Sequence, residues 1–318
     1  MKEVLIVEKL HIMARDKNET VTIVEDVSFS IGEKEILSIV GESGCGKSMT
    51  ALGLIGLLKK NQYISEGAIL FKDKNFTDMT ASDIRKICGK DIGIIFQEPM
   101  MSLNPFFKIG KQIEEPLVQH LKMSKKEARK RSVELLEEVG IHDASKVAKS
   151  YSHELSGGMK QRVLIAIAIS CNPSLIIADE PTTALDVIIQ AQILDLLKKL
   201  IFEREMSLLL ISHDFGVISQ MADKVAVMYA GEIIEIGTID KIMSYPKHPY
   251  TKALLQAANE INTNCSRLSI IEGNVPRPGD LINGCKFANR CYKKENKCMK
   301  EKPHWYYHDG LKTKCWYA

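Results

Sequence analysis

Gly41-Glu-Ser-Gly-Cys-Gly-Lys47-Ser48 is the stretch on which the fold turns, because it fits G-x-x-x-x-G-K-S. An apolar strand over 35–40 leads into it, and the helical run MTALGLIGLL, which starts at Met49, follows it. Glycines in such a loop let backbone N–H groups close around phosphates at a helix N-terminus, where the helix dipole also favours anions. Lys47 adds a point charge for the β- and γ-phosphates, and the Ser48 hydroxyl can ligate Mg²⁺. A glycine-rich turn without a phosphate is the bland alternative, and both flanks speak against it.

Working outward, short apolar runs alternate with turns through residue 75, around the one helix that begins near Gly46. Residues 105–145 read as helical: KKEARKRSVELLEEVGI sets Val133, Leu135, Leu136 and Val139 among charges, and Gly140 can stop the helix. Strands and helices alternate again over 163–240, where LIIAD, SLLLIS, KVAVMY and EIIEIG read as strands and QAQILDLLKKLIFER as a helix. That pattern predicts an α/β core with a parallel sheet. After about residue 244 the periodicity fades, and a boundary is expected between domains at 1–243 and 244–318.

The chain has 318 residues, 45% of them hydrophobic, and a formal charge of +3. Those values fit a soluble globular protein of roughly two domains. The longest apolar runs, 163–169 and 175–178, fall well short of the ~18 residues that span a bilayer. The opening MKEVLIVEKL reads as a strand rather than a secretory signal. The charge is uneven. Residues 285–318 hold nine Lys/Arg against three acids, or +6, which leaves 34 against 37, or −3, for the rest. Four of the eight cysteines, Cys285, Cys291, Cys298 and Cys315, share that basic tail. In a reducing compartment such a cluster is more often a metal site than a disulfide framework. Cys45, Cys88, Cys171 and Cys265 are scattered, and the first three read as structural.

Leu175-Ile-Ile-Ala-Asp179-Glu180 is an apolar strand ending in two acids. Asp179 can hold Mg²⁺ through water. Glu180 points the other way on a pleated strand, placed to orient or deprotonate an attacking water. Solvated acids at a strand end are the bland reading, and the phosphate loop upstream outweighs it.

Between these motifs lies Leu155-Ser156-Gly157-Gly158-Met159-Lys160-Gln161-Arg162, and here the chain resembles the ABC-type ATPases, whose signature is LSGGx-QR. In the same order, Gln97 resembles the Q-loop, Ala184-Leu185-Asp186 the D-loop, and His213 after LLLIS the switch histidine. The resemblance covers about residues 1–243. It implies a P-loop NTPase core with a RecA-like parallel sheet, an antiparallel β subdomain and an α-helical signature subdomain at about 103–170. A small irregular Cys-rich C-terminal domain would follow. It implies an ATP-hydrolysing enzyme with ATP bound by Gly41, Ser43, Gly44, Cys45, Gly46, Lys47, Ser48, Met49, Gln97 and Asp179. Mg²⁺ would be held by Ser48, Gln97 and Asp179, and catalysis carried by Glu180 and His213. Two chains would pair head-to-tail, so that each ATP touches Lys47 of one chain and Ser156, Gly157, Gly158 and Met159 of the other, with Asp186 at the same interface. In this family an aromatic residue upstream of the lysine usually stacks on adenine. No Tyr, Phe or Trp lies between His11 and Ser28, so His11, Arg15 or Val21 is left to take that place.

FQEPMMSLNPFFKIGKQI, His248-Pro249-Tyr250-Thr251 and GNVPRPGDLINGCKFANRC resemble the ATP-binding subunits of dipeptide/oligopeptide importers, with nickel importers close by. That branch implies a homodimer, or a heterodimer with a paralogue, on the cytoplasmic face of the membrane. Two transmembrane permeases and, indirectly, an extracytoplasmic solute-binding protein would be its partners. An ABC ATPase acting on nucleic acid is disfavoured by the −3 core and by the lack of a long coiled-coil insertion. A metal-dependent sensor module with a vestigial ATPase is disfavoured by intact Lys47, Asp179, Glu180 and His213. The tail cysteines are spaced C-x5-C-x6-C-x16-C without the C-x2-C knuckle common in zinc sites. A [4Fe–4S] cluster, with which this branch is associated, Zn²⁺, and free or oxidised thiols are the readings open at this point.

Overall fold

A computed structural model describes residues 2–16, 19–183, 185–262, 271–280 and 282–318. The chain begins with β1 (Glu3–Asp16), β2 (Glu19–Gly32), β3 (Ile36–Val40), α1 (Lys47–Leu54), β4 (Gln62–Phe71), β5 (Lys74–Asn75), α2 (Ala81–Ile87) and β6 (Ile92–Ile95). Next come α3 (Pro99–Ser102), α4 (Ile109–Leu121), α5 (Lys125–Glu138), α6 (Ala144–Val147), α7 (Gly157–Ile169), β7 (Leu175–Asp179) and α8 (Val187–Glu203). The remainder is β8 (Ser207–Ser212), α9 (Phe215–Met221), β9 (Lys224–Tyr229), β10 (Glu232–Thr238), α10 (Ile239–Ser244), α11 (Pro249–Asn262), α12 (Asn296–Lys300), β11 (Tyr306–His308) and β12 (Leu311–Thr313). These elements form two compact units that interleave along the chain: 1–4, 32–35 and 79–209 in one, and 5–31, 36–78 and 210–318 in the other. The sequence had divided the chain at 243/244.

In the first unit β6 runs parallel to β7, with Ile92 opposite Leu175 and Ile95 opposite Ala178. Helix α4 packs on α5 and α7, and α7 packs on β6 and α8. Local chemistry sets the helix ends. Ser124 caps α5 by accepting from the Glu127 N–H, while the Glu127 carboxylate accepts from the Ser124 N–H, a reciprocal capping box. Gly140, at φ 73°, takes the left-handed position just past the end of α5. This helix buries only Ala128, Ser132, Leu135 and Leu136, one narrow stripe, and leaves its charges in water.

The second unit holds two sheets. One has the order β2-β1-β4-β5, with β1 and β4 antiparallel and Leu5 opposite Phe71. In the other, β3 runs parallel to β9 and carries the phosphate loop at its C-terminal end. Antiparallel β10, β12 and β11 continue outward from β9. All five residues of β3 are buried, which is why it reads as an uninterrupted apolar run. The α/β core and the antiparallel β sheet are therefore as the resemblance implied. The tail differs. Where an irregular domain was expected, Glu235 of β10 pairs with Thr313 of β12, and β11 closes the edge. Three-residue strands are too short to leave a period in the sequence. Phe287 sits edge-on to Tyr229 at 5.2 Å, in a core shared with Tyr250, Ile242 and Leu311. Among the described residues no helix is long and apolar enough to cross a membrane.

His248 is packed into this core, and burial pushes its pKa down from 6.5 to about 3. The unfolded chain takes up a proton near pH 6.5, and the folded chain resists it until about pH 3. Stability contributed by neutral His248 is full above pH 6.5 and is lost on acidification, at about 1 kcal/mol per pH unit. Chemical denaturation at pH 7 and pH 5 is expected to show this loss in the wild type and a smaller one in His248→Gln. Equal pH slopes in the two proteins would contradict it.

Candidate functional site

The phosphate loop leaves β3 and is held in shape by its own backbone. A Cβ on Gly41 would stand 2.2 Å from the Met228 carbonyl oxygen, so β9 leaves room for glycine only. Gly46 caps α1 at φ 107° in the left-handed region, and the Thr50 N–H and hydroxyl both donate to its carbonyl. The buried Lys47 ammonium donates to the carbonyls of Gly41 at 2.7 Å and Glu42 at 3.0 Å. Ser43 and Gly44 face solvent, while Ser48 and Met49 are half-buried at the start of α1. Burial pushes the Cys45 thiol up, so it stays protonated and serves as packing.

The C-terminal tail grips this loop, which the sequence did not reveal. Arg290 makes a two-pronged ion pair with Glu42, at 2.7 and 3.0 Å, and the Glu42 N–H donates to the Tyr250 hydroxyl at 2.9 Å. Lys286 pairs with Glu25 at 2.7 Å and Glu232 at 3.0 Å, and donates to the Ala230 carbonyl. Burial alone would raise the Glu25 pKa, but Lys286 and Lys302 hold it at about 2. Glu42 occupies an unconstrained position of the loop motif, and only the burial of Arg290 identifies its partner. His213 directly follows β8, at the head of α9.

In the other unit, Asp179 ends β7 and Glu180 follows at φ 46°, an unusual backbone conformation for a residue with a side chain. Gln97 Nε2 donates to Glu180 Oε2 at 3.0 Å, and the Thr183 hydroxyl donates to the same oxygen at 2.9 Å. Two residues that the sequence assigned separately are thus joined, and Thr183 is an unforeseen third. Ser156 is the N-cap of α7, its hydroxyl accepting from the Met159 N–H at 3.3 Å. A Cβ on Gly158 would meet Ile189 Cγ2 at 2.8 Å, so this glycine lets α7 lie close to α8. Asp186 caps α8 by accepting from the Ile189 N–H. Ala184 lies outside the described residues.

Of the three residues suggested for stacking on a base, His11 and Arg15 are turned to other partners. His11 Nε2 accepts from the Asp26 N–H, and the Arg15 guanidinium lies 5.2 Å from the centre of the Tyr63 ring. Val21 lines an open cavity of about 260 Å³ that reaches Gly44.

Cys285, Cys291, Cys298 and Cys315 line one small cavity with His248, Phe287 and Lys293. No disulfide joins the described cysteines, and Cys265 lies outside the described residues. Burial pushes the Cys285 thiol up to about 12 and raises Cys291 and Cys315 as well. Among the described residues no group of three or more Cys, His, Asp or Glu is placed to hold a single metal ion.

Residues 24–183 match the ABC transporter family, and residues 234–298 match the oligopeptide/dipeptide transporter C-terminal region. The oligopeptide transport ATP-binding protein AppD of Bacillus subtilis (strain 168) is 48% identical over 98% of this chain and 96% of its own length. The dipeptide transport ATP-binding protein DppD of the same organism is 47% identical over 92% of this chain and 87% of its own. Among solved structures, the dimeric ATP-binding cassette MJ0796 in a post-hydrolysis state bound to ADP and Pi aligns with a TM-score of 0.67. It is 30% identical and covers 74% of this chain and 98% of that one.

Removing Arg290 leaves the half-buried Glu42 carboxylate without its cation. Arg290→Ala is expected to cost about 2–3 kcal/mol in chemical denaturation. Adding Glu42→Gln should recover part of that loss, giving a double-variant cost well below the sum of the two singles. Simple additivity would show that the pair does not fasten the tail to the loop.

Proposed function

The chain belongs to the ABC transporter family as an ATP-binding subunit, and we propose that it is the ATP-hydrolysing subunit of an importer for dipeptides or oligopeptides. The observation that carries this reading is the Gln97–Glu180–Thr183 cluster. It fixes the Glu180 carboxylate through two donors on one oxygen. A general base has to be held within hydrogen-bond reach of the water it activates, and two donors on Oε2 supply that orientation.

In this reading the Lys47 ammonium and the backbone N–H groups of 43–48 receive the phosphates of ATP. Ser48, Asp179 and Gln97 are the residues that would hold Mg²⁺, which neutralises charge on the phosphates. Glu180 takes the proton of the attacking water, and His213 donates to the γ-phosphate. Ser156, Gly157, Gly158 and Met159 form an anion site at the N-terminus of α7 for the ATP of a second subunit, with Asp186 beside them. ATP therefore closes a dimer of two such subunits, identical or paralogous, and hydrolysis reopens it. Two permease subunits convert that motion into transport. A solute-binding protein on the far side delivers the peptide, and this chain sits on the cytoplasmic face.

The four tail thiols are proposed to hold a [4Fe–4S] cluster. What supports a shared site is that all four line one small cavity, although among the described residues no group of three or more is placed to hold a single ion. Bound iron would keep the thiols deprotonated against their burial, and the cluster would staple a segment with few apolar residues of its own. Lys293, on the cavity wall, offsets thiolate charge.

Glu180→Gln is expected to slow ATP hydrolysis about 10²–10⁴-fold, while ATP is retained and an ATP-dependent dimer accumulates in size-exclusion chromatography. Turnover at the wild-type rate would remove Glu180 from this role. Protein purified without oxygen should be brown, absorbing near ~400 nm, and Cys298→Ser should bleach it. A colourless preparation containing zinc would contradict the cluster.

A further inference from the structure

We infer that the tail turn Arg277-Pro278-Gly279-Asp280 receives the base of the bound nucleoside triphosphate, in place of an aromatic residue on β2. The inference rests on the reading of 41–48 as the phosphate site. The cavity of about 260 Å³ beside Gly44 is walled on one side by Val21 and Ile23 of β2 and on the other by residues 276–280, 282 and 283 of the tail. It is slightly smaller than the ~300 Å³ at which sites for drug-sized ligands begin, a size suited to a nucleoside. No aromatic side chain lines it. The cavity reaches Gly44, so it adjoins the loop taken to receive the phosphates. A Cβ at Gly44 would meet nothing within 4 Å, so the approach on that side is open.

The tail side of the cavity is preformed. Pro278 and Gly279, the latter at φ 98°, occupy the two central positions of a turn with type II chemistry. The Asp280 N–H donates to the Arg277 carbonyl at 3.1 Å, and the Arg277 N–H donates to Asp280 Oδ2 at 2.8 Å. The turn rests on β2: a Cβ at Gly279 would stand 3.0 Å from Val21 Cγ1. Of the charged groups lining the cavity, Lys286 and Glu25 pair with each other, and Asp280 is engaged in its own turn. The exposed Arg277 guanidinium has no hydrogen bond or ion pair among the described residues. A guanidinium is planar and stacks on π faces, the interaction a purine otherwise finds in an aromatic side chain. Arg277 and Pro278 form one face for the base, and Val21 the other.

The test separates base from phosphates, using the full-length protein with MgATP and with inorganic tripolyphosphate. Arg277→Ala is expected to raise the Kd for ATP about tenfold and to leave the Kd for tripolyphosphate unchanged. Lys47→Ala should weaken both. Independently, photolabelling with 8-azido-ATP should place the label within residues 271–286. An unchanged ATP affinity in Arg277→Ala, an equal loss for both ligands, or a label confined to residues 5–31 would each overturn the inference. If Lys47→Ala binds both ligands as the wild type does, the phosphate-site reading itself fails.

Discussion

The Gly231 N–H donates to the Cys45 carbonyl at 2.8 Å, and the Gly231 carbonyl accepts from the Glu25 N–H at the same distance. This pair of bonds fastens the middle of the phosphate loop to the turn between β9 and β10, and through it to β2. A Cβ on Gly231 would lie 2.4 Å from the Ile23 carbonyl oxygen, so no larger residue fits between them. Anion binding by backbone N–H groups depends on the loop keeping its shape when negative charge arrives. Held on one side by Gly231 and on another by Arg290 and Tyr250 through Glu42, the loop has little freedom to relax. The tail thus belongs mechanically to the nucleotide site, although it is the part of the chain farthest from the loop in sequence.

Glu180 presents the same economy on a smaller scale. Its backbone lies at φ 46°, a conformation that costs of order 1 kcal/mol or more for a residue with a side chain. The surroundings over-determine it. Asp179 ends a strand paired along its length with β6, and Thr183 and Gln97 hold the carboxylate from two directions.

Much of this was legible in the sequence because the chemistry is local. A phosphate loop needs glycines and a lysine at fixed spacing, and an apolar strand before it leaves an unmistakable run. Gly140 announces the end of α5 for a similar reason. Contacts that join distant residues left no such trace. Nothing in the letters couples Glu42 to Arg290, which is 248 positions away, or Gln97 to Thr183. Strands β11 and β12 are three residues each, below the length at which alternation can be counted. The absence of an aromatic residue on β2 was visible, but where the compensation lies depends on how the tail folds back. His11 and Arg15 had suitable side chains and proved to be engaged elsewhere.

The charge asymmetry acquires a structural meaning from the same contacts. Several of the tail's cations are engaged within the chain. Lys286 and Lys302 converge on Glu25 and Glu232, Lys314 meets Asp26 at 3.0 Å, and Arg290 meets Glu42. Lys297 lies over the Trp316 ring at 3.7 Å within the tail itself. Each of those acids belongs to β2, to β10 or to the phosphate loop. Surface pairs of this kind contribute little one by one. Here Arg290 and Lys314 are largely buried and the acids are shared between cations, so the pairs act as a network. A +6 tail on a −3 core is therefore in part a complementary fit within one chain.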